Sequence, residues 1–394
     1  MHVLTVLCGN GWMPVHLSEG WRRVGCTVHE FFYGTHMGRD WSAAGRKRNA
    51  DTNARLLELA RRLKANGELD LVFAVIYDDV LAVETAKSLQ TLGVPMVNYH
   101  VDLFGQWYRV LRTGRYFDRV ACAQEARWEP MARAGIRPYL MPMAANPLAG
   151  ESVIGTDGET FHGIVYMGSP WPYRRQVLEE LMRRGMPLRI YGHNWLHTLN
   201  ASTRLPQLEG NTQPLAKAVH DARHYLLPRI RAEGLSPMLH VLKRRLTGSP
   251  RQRPAQADIL RPALCGRYAP EEFPALVRTA DINLGFTHFG GVPESPGESR
   301  QMRLRDFEIP MAGGFYLTQR CAEISSMFEE GKNVVCWDGI GDLVDKVRFY
   351  LENAGVRRAI AAAGRLHCEA HHTWERRFRG LLGELGLRPP LPAS

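Results

Sequence analysis

The sequence contains no apolar run near the roughly 18 residues that a membrane span requires. It has no CxxC pair, and its seven cysteines (Cys8, Cys26, Cys122, Cys265, Cys321, Cys336, Cys368) are scattered and odd in number. That pattern disfavours a disulfide framework or a zinc site and leads to the expectation of reduced thiols in a cytoplasm. The N-terminus, Met1-His-Val-Leu-Thr-Val-Leu7, lacks a basic n-region and a long apolar h-region, so it reads as a first β-strand and not as a secretory signal. No DxD triplet occurs, so the carboxylates that commonly hold Mn²⁺ or Mg²⁺ against a diphosphate are missing. A diphosphate here would be neutralised by arginine, lysine and helix N-termini. Walker A, HExxH and GxSxG patterns are also absent, which removes the usual support for an ATPase, a zinc protease or a serine hydrolase.

What is present fits an ordinary globular chain. At 394 residues the length suggests two to three domains, and 45% hydrophobic with 23% charged residues excludes a disordered or collagenous protein. The net charge is +10. Much of it lies in residues 201–262, where eleven Lys/Arg face four Asp/Glu, a local net of +7. A local excess suggests a surface for an anionic partner such as membrane headgroups or an acidic polymer, whereas a uniformly basic chain would suggest nucleic acid. A solvated loop around a structural helix explains the same residues. Nucleic acid is not expected, because the cations cluster in one segment without interleaved aromatics.

Strand-like and helical patterns alternate along the chain. Val3 to Leu7, Leu71 to Ile76, Val94 to Tyr99, Phe117 to Cys122 and Tyr139 to Met143 read as strands. Asp51 to Asn66 (with Asp51 as a possible cap), Val80 to Leu92 and Glu125 to Ala134 read as helices. Residues 147–160, with Gly150, Gly155 and Gly158, read as a linker, after which the pattern restarts. Strands are expected at Gly163 to Met167, Leu188 to Tyr191, Asp281 to Phe286, Gly314 to Thr318 and Asn333 to Trp337. Helices are expected at Arg174 to Arg184, Pro270 to Thr279, from Phe307, at Ile340 to Leu351, and over 356–382. This alternation predicts an α/β protein with two doubly wound parallel sheets and a cleft between them. The expected domains are 1–150, 151–370 with a basic insertion at about 197–262, and a helical segment 371–394.

The densest candidate site runs from Arg303 to Thr318. Glu308 lies on a helix that Gly313-Gly314 ends, and its carboxylate can accept two hydroxyls of a ribose. Arg303 and Arg305, just upstream, can face a phosphate, and the two glycines permit close backbone approach. A helix-start carboxylate and a Gly-Gly helix stop account for the same pattern. Gly168-Ser169 and the following loop join a strand to a helix, where a doubly wound sheet binds phosphate, and Arg174 is the best diphosphate cation. Tyr191, Gly192 and His193 end a strand and can border a nucleotide base. In the first domain, His100 and Asp102 end a strand and can orient or deprotonate a substrate hydroxyl; a structural His–Asp pair is the alternative. Gly9 and Gly11 either admit a ligand phosphate or only form a turn. Asp78-Asp79 is a weaker acceptor candidate, and His371, His372 and Trp374 read as hinge packing.

Several of these stretches resemble the CgeB-like (spore maturation protein) glycosyltransferases: Met167-Gly-Ser-Pro-Trp-Pro-Tyr-Arg174, Ile190-Tyr-Gly-His-Asn-Trp195, Arg305-Asp-Phe-Glu-Ile-Pro-Met-Ala-Gly-Gly-Phe315 and His372-Thr-Trp-Glu-Arg-Arg377. Phe117 to Gln124 and Leu140 to Pro147 are similar to the N-terminal half of that family. The resemblance implies a GT-B fold: two Rossmann-like domains facing across a cleft, with the nucleotide sugar on the second, the acceptor on the first, no required metal, and the helical segment 371–394 crossing back to the first domain. Retaining GT-B transferases carry an E-x7-E pair whose second member binds the donor ribose. Glu308 matches that second member, whereas Arg300 stands at the first, with Glu298 two positions away. Arg174, six residues beyond Gly168, keeps the phosphate-binding cation of that group.

The function expected from this resemblance is metal-independent transfer of a sugar from a nucleotide diphosphate to a hydroxyl on a glycan, lipid or small molecule, with retention at the anomeric carbon. The nucleotide sugar is a co-substrate and no separate cofactor is expected. The location expected is the cytoplasm, with contact to an anionic inner membrane face through 201–262. Alternatives are a nucleotide-sugar binding protein without turnover and a sugar-nucleotide epimerase.

Overall fold

The computed structural model describes residues 1–9, 11–34, 43–147, 160–196, 259–288 and 300–390, with isolated positions between 218 and 234. Two compact units are present. One is built on Met1–Pro142 with Trp374–Ser394, the other on Met143–Gln207 with Arg253–Thr373.

The first unit holds six parallel strands: β1 (His2–Leu7), β2 (Thr27–Phe32), β3 (Leu71–Ala74), β4 (Met96–His100), β5 (Arg119–Cys122) and β6 (Pro138–Leu140). Their order is β2-β1-β3-β4-β5-β6. The central strands β3 and β4 are buried at every residue, as helices on both faces of a parallel sheet require. On one face the helix Ala43–Ala65 sets Leu56, Ala60 and Leu63 into a core with Leu4, Val6, Val72 and Ala74. Their i, i+4, i+7 spacing forms a single apolar stripe. On the other face the helix Trp374–Glu384 buries Trp374, Phe378, Leu381 and Leu382. Trp21 stacks on Phe378 with ring centroids 4.1 Å apart, and a Cβ on Gly20 would stand 2.7 Å from that of Trp374. Only glycine lets the two backbones approach so closely.

The second unit holds β7 (Phe161–Met167), β8 (Leu188–Tyr191), β9 (Leu264–Gly266), β10 (Ala280–Leu284), β11 (Tyr316–Gln319) and β12 (Val335–Trp337), again all parallel. The order β12-β11-β10-β7-β8-β9 reverses between β7 and β10. A crevice beyond the carboxyl ends of the strands at such a reversal is where open α/β sheets bind ligands. Ile164, Leu178, Ile190, Ile282, Leu317, Trp337 and Leu343 form the core beneath it.

Several sequence expectations are corrected here. Asp51 is not a cap: its helix already begins at Ala43, and Asp51 is an exposed interior residue. β2 was not expected; it is an edge strand whose Thr, His and Glu positions give no apolar alternation. The helix expected over 125–134 begins only at Trp128, after Arg127 in the left-handed region (φ 59°). The expected helix 356–382 is two helices, Ala354–His371 and Trp374–Glu384. The break falls where Ala145 donates its N–H to the His372 carbonyl at 3.1 Å and bridges Thr373, which withdraws that backbone from the helix. Most of the linker 147–160, nearly all of 197–262, and Glu298 lie outside the described residues.

Candidate functional site

The β7/β10 reversal gathers one imidazole and three guanidinium groups. After β7 the chain turns through Gly168 and Ser169 into the helix Pro172–Arg183, whose first position is a proline, suited to the fixed φ of a helix start. Two residues on, Arg174 is buried; its Nη1 donates to the Tyr166 hydroxyl at 3.0 Å, and its Nε has no partner among the described residues. After β10 comes His288, whose N–H donates to Gln319 Oε1 at 3.2 Å and which forms a bridge with Arg300. Arg303 Nη2 donates to the His288 carbonyl at 3.5 Å. Burial, then Arg174, Arg300 and Arg303, hold the His288 imidazole down at about 4. The group is therefore a neutral ring amid three cations, an environment that attracts a polyanion.

Glu308 lies beside this cluster in sequence and is buried on the helix Arg305–Met311. Arg305 closes on its carboxylate through Nη1 and reaches the Tyr268 hydroxyl through Nη2, with its guanidinium 4.4 Å from the Phe273 ring. Arg305 therefore orients Glu308, whereas Arg303 turns toward His288. The approach is rigid: Asp306 accepts from the Arg303 N–H at 2.5 Å, the Tyr316 hydroxyl at 2.8 Å and the Thr318 hydroxyl at 3.1 Å. Burial raises the Asp306 carboxyl above its usual range. Gly313 (φ 82°) and Gly314 end the helix with N–H bonds to Pro310 and Ile309. A Cβ on Gly314 would meet Val277 at 2.3 Å and Asn283 at 2.7 Å, so protein already occupies the space beside that glycine.

The β8 end is locked to the β7 end. Gly168 donates to the Tyr191 carbonyl at 2.9 Å and accepts from Trp195 Nε1 at 2.8 Å. Gly192 sits at φ 152°, where a Cβ would be 2.3 Å from the Gly168 oxygen. The Tyr191 ring lies 6.2 Å from that of Tyr268, which links this turn to the Arg305–Glu308 pair. His193 is exposed in the same turn.

The remaining candidates lie in the first unit, at the carboxyl ends of β1, β3 and β4. Gly9 donates to the Gly34 carbonyl at 2.8 Å, and Gly11 (φ 68°) faces open space. His100 is fully buried; its Nε2 donates to the Gln106 carbonyl at 3.0 Å, and burial holds the ring at about 4. Nδ1 is then the nitrogen with a free lone pair. Asp102 precedes the short helix Leu103–Gln106 and accepts from Gln106 Nε2 at 3.4 Å. Asp79 pairs with Arg109 at 2.8 Å in the interior. Asp78 accepts from the Thr113 hydroxyl at 2.6 Å and from the Arg112 and Thr113 N–H groups, while burial pushes its carboxyl up to about 6. Trp374 is a core residue of the first unit, whereas His372 belongs to the second, where its ring packs tilted against Phe307 and Phe328.

His288 was not anticipated from the sequence as part of the site, nor was Arg300 as a member of a cation cluster. The missed signal is positional: His288 stands four residues beyond β10, at the strand end beside the reversal of strand order.

Residues 231–383 match the family model described as glycosyl transferase-like. The structure is similar to HepE of Anabaena solved with UDP and glucose (12% identity, 98% of this chain and 99% of that one, TM-score 0.55). It is also similar to sucrose-phosphate synthase of Thermosynechococcus elongatus (10% identity, 98% of each chain, TM-score 0.51). A third similar structure is the lipopolysaccharide outer core galactosyltransferase WaaB in its apo form (11% identity, 98% and 100%, TM-score 0.51). No curated protein sequence matches. The chain has the GT-B fold of two Rossmann-like units, and its second half carries the glycosyl transferase-like domain. Among the described residues no helix is long and apolar enough to cross a membrane.

Proposed function

We propose that the protein is a metal-independent glycosyltransferase that moves a hexosyl or related sugar from a nucleotide diphosphate to an acceptor hydroxyl, with retention of anomeric configuration. The observation that carries this reading is the meeting of Arg174, Arg300 and Arg303 around His288 at the reversal of strand order in the second unit. Fixed guanidinium groups stabilise the charge that develops on the departing phosphate without reorganising at the moment of reaction. Glu308, oriented by Arg305, accepts the ribose hydroxyls. His100 Nδ1 and Asp102 in the first unit orient the acceptor hydroxyl, which belongs to a glycan, a lipid or a small molecule. The similarity to HepE, whose structure contains UDP and glucose, makes uridine the first base to test.

The CgeB-like motifs around Arg174 and Glu308 support placement near that family. A cytoplasmic location, with residues 201–262 meeting an anionic membrane surface, belongs to the same proposal; it rests on the local net charge of +7.

The test is calorimetry with UDP-, GDP-, ADP- and TDP-glucose, with and without EDTA, followed by product analysis with acceptor present. Binding that persists in EDTA, with transfer or slow donor hydrolysis, is expected. Failure of all four to bind would overturn the reading. A second reading, a nucleotide-sugar binding protein without turnover, is favoured by Arg300 at the first position of the E-x7-E spacing. Tight binding with neither transfer nor hydrolysis would select it.

A further inference from the structure

His288 has no place in the sequence expectations, yet it is buried in the proposed donor site. It is 4% exposed. Its backbone is held on both sides, by Gln319 Oε1 at its N–H and by Arg303 at its carbonyl. The Tyr173 ring lies 5.0 Å away. Its Nε2 nevertheless has no partner among the described residues, and neither does Nε of the similarly buried Arg174. Leaving a buried polar atom unpaired costs about 1–3 kcal/mol. Two such atoms among neighbouring cations point to a group that is supplied from outside.

The charge around the ring identifies that group. The helix Pro172–Arg183 contributes Tyr173 and Arg174, the segment after residue 299 contributes Arg300 and Arg303, and β11 contributes the neutral Gln319. Among the described residues the acids beside these cations are Asp338, 3.8 Å from Arg300 and already paired with Arg320 at 2.5 Å, and Asp306, which accepts from the Arg303 N–H at 2.5 Å. With cations dominating its surroundings, the imidazole resists protonation. An anion placed among the same guanidinium groups reverses the local potential and favours the charged ring.

We infer that His288 is a proton-binding element of the diphosphate site: it is neutral without an anion and takes up one proton when the phosphates of a nucleotide sugar settle among Arg174, Arg300 and Arg303. This rests on the donor-site reading above. Protonated, it donates from Nε2 to a phosphate oxygen, and Arg174 Nε–H provides a second donor. As the bond from sugar carbon to phosphate oxygen breaks, that oxygen keeps the electron pair and the nucleotide gains one negative charge. A charged imidazolium at the site stabilises that added charge more than it stabilises the intact donor. A histidine serving only to fill the core would exchange no proton on binding.

The experiment is titration calorimetry of the full chain with UDP-, GDP-, ADP- and TDP-glucose in pairs of buffers of unlike protonation enthalpy, between about pH 5 and 8. These ligands have only diester phosphates, which carry no proton in that range, so any proton taken up goes to the protein. The expected result is uptake approaching one proton per site at the acid end, with affinity rising up to about tenfold per pH unit as pH falls, and loss of both effects in His288→Gln. Binding without proton uptake in the wild type, or uptake that survives in His288→Gln, overturns the inference and leaves the donor site standing. If none of the four ligands binds, the donor-site reading fails and this inference fails with it. Should His288→Gln not fold, the wild-type buffer comparison decides alone.

Discussion

Arg305 and Glu308, three residues apart on one short helix, form an ion pair that also takes in the hydroxyl of Tyr268. The guanidinium lies against the Phe273 ring, so its direction is set by packing as well as by charge. Glu308 is thereby presented at a fixed angle, and the pair acts as one unit.

Replacing Arg305 with methionine therefore weakens nucleotide binding without removing any group proposed to touch the phosphates. The expected loss of stability is about 1–2 kcal/mol. That is below the about 3–5 kcal/mol of a fully buried pair, because the Arg305 side chain keeps 33% of its exposure and solvent screens it. Glu308→Gln, which preserves shape, should reduce affinity for a nucleoside more than affinity for pyrophosphate. Equal losses for the two ligands would remove Glu308 from the ribose.

Arg174→Gln deletes a charged donor, and with it the Nη1 bond to the Tyr166 hydroxyl, while keeping a polar side chain. A hydrogen bond to a charged group contributes about 1.5–3 kcal/mol, so nucleotide-sugar affinity should fall roughly 10- to 100-fold, with little change in melting temperature. Calorimetry and a thermal melt on one sample check both halves.

Gly192→Ala should destabilise the second unit by about 1–3 kcal/mol. The added Cβ meets a backbone oxygen, that of Gly168 at 2.3 Å, and φ is 152°, so neither the neighbour nor the residue can yield cheaply. Gly11→Ala, with positive φ but open space, should cost less. Urea denaturation of the two variants ranks them.

Asp78 and His100 titrate in opposite senses across one pH window. Burial raises Asp78 to about 6, so the folded state binds more protons there than the unfolded state, and its contribution is lost as pH rises from about 4 to 6. Burial lowers His100 to about 4, so the unfolded state binds more protons, and its contribution is lost as pH falls from about 6.5 toward 4. Each shift corresponds to about 3 kcal/mol at most, and between pH 4 and 6 the two nearly cancel. His100→Gln should expose a fall in stability with rising pH, and Asp78→Asn the reverse. Melts from about pH 4 to 7 that show the same slope in both variants would contradict this assignment.

Interior strands were the most legible elements. Leu71–Ala74 is an apolar run buried at every residue, Leu188–Tyr191 alternates buried Leu and Ile with half-buried Arg and Tyr, and both start where the sequence indicates. The edge strand Thr27–Phe32 was hidden, because an edge needs no alternating apolar face. Glu308 could be placed on its helix from the Gly-Gly stop alone. Which arginine would meet it could not be read: Arg303 and Arg305 are two residues apart, and only side-chain direction separates their partners. His288 and Arg300 lie twelve positions apart and meet across a bridge, and local periodicity carries no record of that contact.

The order of apolar runs and turns was enough by itself to determine two parallel sheets with a basic, glycine-bearing turn after β7, because periodicity and turn chemistry are properties of adjacent residues. Tertiary structure alone decided that the helix Trp374–Glu384 meets Trp21 and Gly20, and that Arg303 turns toward His288 while Arg305 turns to Glu308. Those outcomes depend on burial and charge contributed by residues far away in the chain, and they take effect only once the sheets have formed.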